Sequence, residues 1–196
     1  MELGDDEVRG QRIEEETYAP KTLRSQLDTR GQFAPEETLQ IGIALAMALE
    51  HLHGHGLIHR DVKPSNVIFI HGQAKLADIG LVAAADESMS FVGTAGFVPP
   101  EGPGTERADL FSLGRVLYEM HTGYDRSRFP ELPTDVSETT NDPRLTQELN
   151  LIILKACESH PEARHGSVRE LREELQLLQN GRSIARLRLA EKRAVA

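Results

Sequence analysis

The chain has 196 residues, 39% of them apolar, enough for one domain or one large lobe with its own core. A net charge of −9 is the wrong sign for a general nucleic-acid binder. No apolar run reaches membrane-spanning length, the acidic start does not read as a signal peptide, and the lone Cys157 excludes an intramolecular disulfide.

Residues 1–20 show no period and read as an extended, acidic loop. A short helix is predicted from Thr22 to about Arg30, closed by Gly31. Pro35 opens a stronger helix, with Glu36 and Glu37 where the helix dipole favours anions. Leu39, Ile41, Ile43, Leu45, Met47, Leu49 and Leu52, with three alanines between them, make it apolar nearly all round, which predicts burial. Gly54 and Gly56 end it. Val67–Ile70 and Ala74–Ala77 flank His71-Gly72-Gln73, a β-hairpin signal. Residues 78–106 are rich in Gly, Ala, Pro and Ser and read as one long loop, the kind that is usually functional.

Helical spacing returns from Arg107 to His121 and stops at Gly123. Residues 124–144 are irregular, and Leu145–Glu158 forms another apolar helix. Ser167-Val168-Arg169-Glu170 is a capping box that opens a helix striped with Leu171, Leu175 and Leu178. The basic residues 182–193 read as the frayed end of that helix, in preference to a segment that contacts acidic lipid. The fold class is mainly α with a small β-hairpin. His51, His53, His55 and His59 raise a zinc site, but spacing by two spreads them over different helix faces and no Cys lies near. They read as a helix end and a turn.

The densest cluster of polar groups is IHRDVKPSNVIF, residues 58–69. It fits H-R-D-x-x-x-x-N through His59, Arg60, Asp61 and Asn66. Asp78-Ile79-Gly80 follows 12 residues after Asn66, and Pro99-Pro100-Glu101 ends 23 residues after Asp78. With these motifs in this order, residues 1–178 resemble the eukaryotic-like serine/threonine protein kinases, most of all their bacterial members, over the large C-terminal lobe. The resemblance implies a hinge-like segment and acidic loop at 1–20, the lobe at 21–180 and a basic helical tail at 181–196.

It also implies roles. Asp61 would orient the acceptor hydroxyl and take its proton, and Lys63 would meet charge on the transferred phosphoryl group. Asn66 and Asp78 would hold Mg2+, or Mn2+, on the phosphates of ATP. Thr94, in Gly93-Thr94-Ala95-Gly96-Phe97, would bond near Asp61 and Lys63, with Phe97 in place of the usual Tyr. Ile79 stands where the family has Phe. Glu101 would pair with Arg164. Asp109 would accept from the backbone around His59 and Arg60, with His59 buried behind the loop. Ile68 would floor the adenine pocket, and the backbone of Glu2 and Gly4 would meet adenine from the hinge. Ser88 and Ser90 are candidate phosphorylation sites whose phosphates could pair with Arg60.

The small lobe's glycine-rich loop, strand lysine and helix glutamate find no counterpart among these residues. The expectation is a large lobe alone, short of its small lobe in cis, that transfers phosphate weakly and exposes a sticky apolar face. The expected partners are ATP and a protein bearing Ser or Thr. The expected location is cytoplasmic, or the cytoplasmic face of a membrane if a span lies elsewhere in the full protein. A non-catalytic docking module is the alternative. A small-molecule phosphotransferase is disfavoured by Lys63, Gly93-Thr94, Glu101 and Arg164.

Overall fold

The computed structural model describes residues 4–5, 19–78, 83–84, 93–133 and 142–195. Glu2, Ile79, Gly80, Ser88 and Ser90 lie outside the described residues.

Helix α1 (Leu23–Arg30) starts at Thr22, whose hydroxyl accepts from Ser25 N–H while the Ser25 side chain returns a bond to the Thr22 backbone. Helix α2 (Pro35–His53) runs from its N-terminal proline to Gly54. Strand β1 (Leu57–Ile58) follows, then a 3-10 turn at Pro64–Asn66 and the hairpin of β2 (Val67–Ile70) and β3 (Gln73–Leu76). His71 and Gly72, both at positive φ, form its two-residue turn, the hand that suits a twisted hairpin. Strand β4 (Ala83–Ala84) pairs antiparallel with β1. Helix α3 (Glu106–Thr122) is capped by Thr105 and closed by Gly123 in the left-handed region. Helices α4 (Pro143–Ala156), α5 (Val168–Gln179) and α6 (Ile184–Val195) complete the order.

Helix α3 is the axis of the core: Leu110, Leu113, Val116, Leu117 and Met120 are all fully buried on it. Helix α2 packs on α3 and α5, and α4 packs on α3 and α5. Two glycines set how close these helices come. A Cβ on Gly42 would meet a Leu117 methyl at 2.9 Å, and one on Gly114 would meet Cys157 Sγ at 2.7 Å and Ala156 Cβ at 2.9 Å. The helices touch backbone to side chain at these points, which raises packing density where the core is deepest.

The hairpin is held from outside by a residue far away in sequence. Asp5 N–H donates to Phe69 O at 2.6 Å, and the Asp5 carboxylate accepts from His71 N–H at 2.9 Å and Gly72 N–H at 2.8 Å. Lys21 completes the edge, giving its N–H to Asp5 O and taking one from Phe69 N–H. Asp5 thus caps the turn that holds the register of β2 and β3.

Three expectations are corrected. Helix α2 is not buried all round: Met47 is 56% exposed, and the Ala44–Met47–Ala48 face looks into an open groove of about 780 Å³ against β3. The stretch 78–106 is not all loop, because β4 adds a short pair to β1. The basic tail is not the frayed end of α5, which stops at Gln179; it is a separate helix. Glu148 on α4 binds the start of α6 through Ser183 Oγ at 2.5 Å and Ala185 N–H at 3.0 Å. Arg188 then donates to Leu151 O and pairs with Glu174, while Ile184 is buried. Among the described residues, no helix is long and apolar enough to cross a membrane.

Candidate active site

The site is built on the segment between β1 and β2. Asp109, buried at the first turn of α3, accepts from His59 N–H at 2.8 Å through Oδ2 and from Arg60 N–H at 2.9 Å through Oδ1. His53 Nε2 donates to the same Oδ2 at 2.9 Å. The carboxylate holds the turn while Arg60 sits at φ 69°, a conformation most side chains avoid. His59 is fully buried: its Nδ1 faces Asp61 N–H at 3.4 Å, so Nε2 is the donor to Ala77 O at 3.3 Å. One imidazole thereby ties the segment to the far end of β3.

Asp61 is the hub. Lys63 Nζ lies 2.6 Å from its Oδ2, Thr94 Oγ1 donates to its Oδ1 at 2.9 Å, and Lys63 Nζ also donates to Thr94 Oγ1 at 2.8 Å. Asn66 Nδ2 donates to Asp61 O at 2.9 Å and to Oδ2 at 3.0 Å. Burial pushes the Asp61 carboxyl upward, but the Lys63 hydrogen bond and then that of Thr94 outweigh it, so its pKa falls below the ordinary carboxylate value. Asp61 is therefore an anion with fixed orientation at neutral pH.

The two Asp61 oxygens facing Asn66 are both acceptors, so the amide must turn its nitrogen to them. That leaves Asn66 Oδ1, among the described residues, as the oxygen turned away from Asp61. Ala77 N–H donates to Asn66 O at 2.8 Å, and the next residue is Asp78, exposed and at φ 59°. One amide oxygen and one carboxylate on neighbouring rigid backbone are the hard donors that suit a small divalent cation, with water and phosphate oxygen filling the remaining positions. The histidines go elsewhere: His53 is committed to Asp109, His59 to Ala77, and His55 Nδ1 lies 2.8 Å from His51 O. Among the described residues, no three His, Cys, Asp or Glu side chains gather around a common metal position.

Glu101 and Arg164 meet as an ion pair, at 2.5 Å and 2.9 Å, with the guanidinium fully buried. Arg164 also donates to Glu158 O, Arg107 O and Ser159 O. Ile68 lies on β2, half-buried and backbone-bridged to Thr22. Gly4 is buried. Sequence reasoning missed Asp5, His53 and a group around the Thr94 stretch: Ser112, whose hydroxyl donates to Phe97 O at 2.8 Å, and Arg126, whose Nε donates to Ala95 O at 3.0 Å. Ser112 carries no signal beyond being polar on a buried helix face. Arg126 lies 31 residues from Ala95 in an irregular segment.

The chain belongs to the protein kinase domain family, which it matches over residues 13–180. It is 32% identical over 189 residues to a probable serine/threonine-protein kinase of Streptomyces coelicolor, covering 83% of this chain and 27% of that protein. It is 34% identical over 187 residues to the serine/threonine-protein kinase PknB of Mycolicibacterium smegmatis, covering 83% and 29%. With a probable serine/threonine-protein kinase of Clostridium perfringens it shares 35% identity over 170 residues, covering 77% and 25%. The chain thus spans less than a third of the length of these curated relatives.

Proposed function

We propose that this domain transfers the γ-phosphoryl group of ATP to a serine or threonine hydroxyl of a protein. The observation that carries the reading is the Asp61 hub: an ionised carboxylate pinned by Lys63, Thr94 and Asn66, with Asp78 one residue beyond the Asn66–Ala77 bond. Phosphoryl transfer needs positioning and charge neutralisation more than covalent chemistry, and these residues supply both.

Asp61 Oδ1, now held by the Thr94 hydroxyl, is the oxygen that would accept the proton of the acceptor alcohol. The alcohol oxygen bonds to the γ-phosphorus as the bond to the ADP oxygen breaks, and the proton passes to Asp61. Its lowered pKa makes Asp61 a weak base in the resting site, so its first task is orientation. Lys63 bridges Asp61 and Thr94 and would bring its positive charge to the transferring group beside them. Asn66 Oδ1 and the Asp78 carboxylate would hold Mg2+, or Mn2+, which neutralises the nucleotide's phosphates when bound. Ile68 would floor the adenine pocket, with the Glu2 and Gly4 backbone at its edge. Ser88 and Ser90 remain candidate phosphorylation sites.

The 196 residues hold no G-x-G-x-x-G loop to cover the phosphates, so the chain by itself is expected to turn over slowly. The test is a radiolabelled transfer assay to a Ser/Thr acceptor peptide with magnesium and ATP. Asp61→Asn, close to isosteric, is expected to reduce transfer by roughly 10²- to 10⁴-fold with the fold intact. Transfer that survives this change within threefold would refute the assignment. Partner binding that persists with Asp61 and Asp78 both replaced would favour a docking module.

A further inference from the structure

The stretch that delivers Thr94 to Asp61 must be held still, because a shift of about 1 Å in such a platform is costly for the acceptor's alignment. Its own backbone does little: the internal bond between described residues is Phe97 N–H to Thr94 O at 3.1 Å. The stretch is instead gripped from the side. Arg126 Nε donates to Ala95 O at 3.0 Å, and the Arg126 guanidinium lies 4.6 Å from the centre of the Phe97 ring. The plane of one side chain therefore engages two residues of the segment at once, an arrangement an ammonium cannot copy.

The guanidinium is itself seated. Arg126 Nη1 lies 3.2 Å from Glu119 Oε1, and the Arg126 backbone N–H donates to the same oxygen at 3.2 Å. Glu119 is buried on α3, and its other oxygen takes Arg24 from α1. Asp125 adds a contact to Arg126 Nη1 at 3.0 Å. Gly96 is the matching recess: it sits at φ 85°, and a Cβ there would fall 2.7 Å from Arg126 Nε. On the inner side Phe97 is buried and its carbonyl is taken by Ser112 of α3.

We propose that Arg126, seated by Glu119, is a positioning residue that clamps the Thr94–Phe97 segment and so sets the acceptor-binding face beside Asp61. The role rests on the phosphotransfer reading above and deepens it. Arg126 touches neither Asp61 nor Lys63. It acts through Ala95 and Phe97 on Thr94, the residue just before Ala95, which touches both.

The test compares Arg126→Ala and Arg126→Lys in the full chain by two readouts. The first is amide hydrogen exchange over residues 93–99, which needs no activity. Arg126→Ala is expected to speed exchange there about tenfold, with the amides of Leu110–Met120 unchanged. Arg126→Lys keeps the charge opposite Glu119 but loses the Nε donor and the plane, so it is expected to speed exchange almost as much. The second is transfer to the acceptor peptide: KM for the peptide rises about tenfold in both variants while kcat falls less than threefold. Unchanged exchange over 93–99 in Arg126→Ala would overturn the clamp. So would a lysine variant that behaves as wild type, equal loosening of Leu110–Met120, or a faster-exchanging segment with an unchanged peptide KM. If the wild-type chain shows no transfer at all, the phosphotransfer reading falls, and the exchange data alone decide whether Arg126 clamps the segment.

Discussion

Replacing Asp109 by alanine isolates the cost of holding the His59–Asp61 turn in place. The carboxylate is 1% exposed and accepts from His59 N–H at 2.8 Å, Arg60 N–H at 2.9 Å and His53 Nε2 at 2.9 Å. Hydrogen bonds to a charged group contribute about 1.5–3 kcal/mol each, and a buried donor left without its acceptor costs about 1–3 kcal/mol. Two backbone donors lose their partner, and the left-handed Arg60 loses the contact that offsets its strain, itself about 1–3 kcal/mol. Some of this relaxes as water enters, so the expected loss is about 3–5 kcal/mol. Equilibrium urea unfolding followed by far-UV circular dichroism measures it. With a slope of about 2 kcal/mol per molar, the midpoint falls by about 1.5–2.5 M. Asp109→Asn keeps one acceptor oxygen and is expected to lose about half as much. His53→Ala removes only the third bond and should cost about 1 kcal/mol. A midpoint shift below about 0.5 M for Asp109→Ala would refute the claim that this carboxylate holds the turn.

The Glu101–Arg164 pair is next. Arg164→Ala strands the carbonyls of Glu158, Arg107 and Ser159 as well as Glu101, with an expected loss of about 3–5 kcal/mol in the same assay, whereas Glu101→Gln, on the more exposed side, should cost about 1 kcal/mol. Burial lowers the His121 pKa from 6.5 to about 4. The unfolded chain binds that proton first, so this contribution to stability is complete above pH 6.5 and is lost as pH falls toward about 4. It amounts to about 3 kcal/mol at most, and His121→Gln should flatten the urea midpoint across that window. Glu174 titrates lower: burial pushes it up, but His165 and then Arg188 outweigh this and bring it from 4.5 to about 2. Its stabilisation is present above pH 4.5 and lost as pH falls toward about 2, so Glu174→Gln should blunt acid unfolding in that range.

The legible parts of this molecule are those whose signal is local or borne by a motif. Thr22, Pro35, Gly123 and Ser167 punctuate helices within a few residues of where they act, so α1, α2, α3 and α5 could be drawn from spacing. Asp61, Asn66 and Asp78 could be picked out because they recur at family spacings, not because an isolated aspartate announces anything. What escaped was long-range and singular. Asp5 caps a turn 66 residues away from within an acidic stretch that reads as solvated. Arg126 grips Ala95 across 31 residues of mostly aperiodic chain and helix. Strand β4 has two residues, too few to show alternation. The α2 pattern misled because an apolar face can line a groove as well as a core, which is where Ala44 and Met47 lie.

The close approach of α3 to α4 has a chemical side effect. With Gly114 against it, Cys157 Sγ is walled in, and burial pushes its thiol up to about 12. A sulfur so rarely a thiolate, with no room for a reagent, is deaf to oxidants and alkylators while the helices stay together. Its labelling rate by an alkylating reagent then becomes a clock for the parting of those two helices, read from a single native atom without an engineered cysteine.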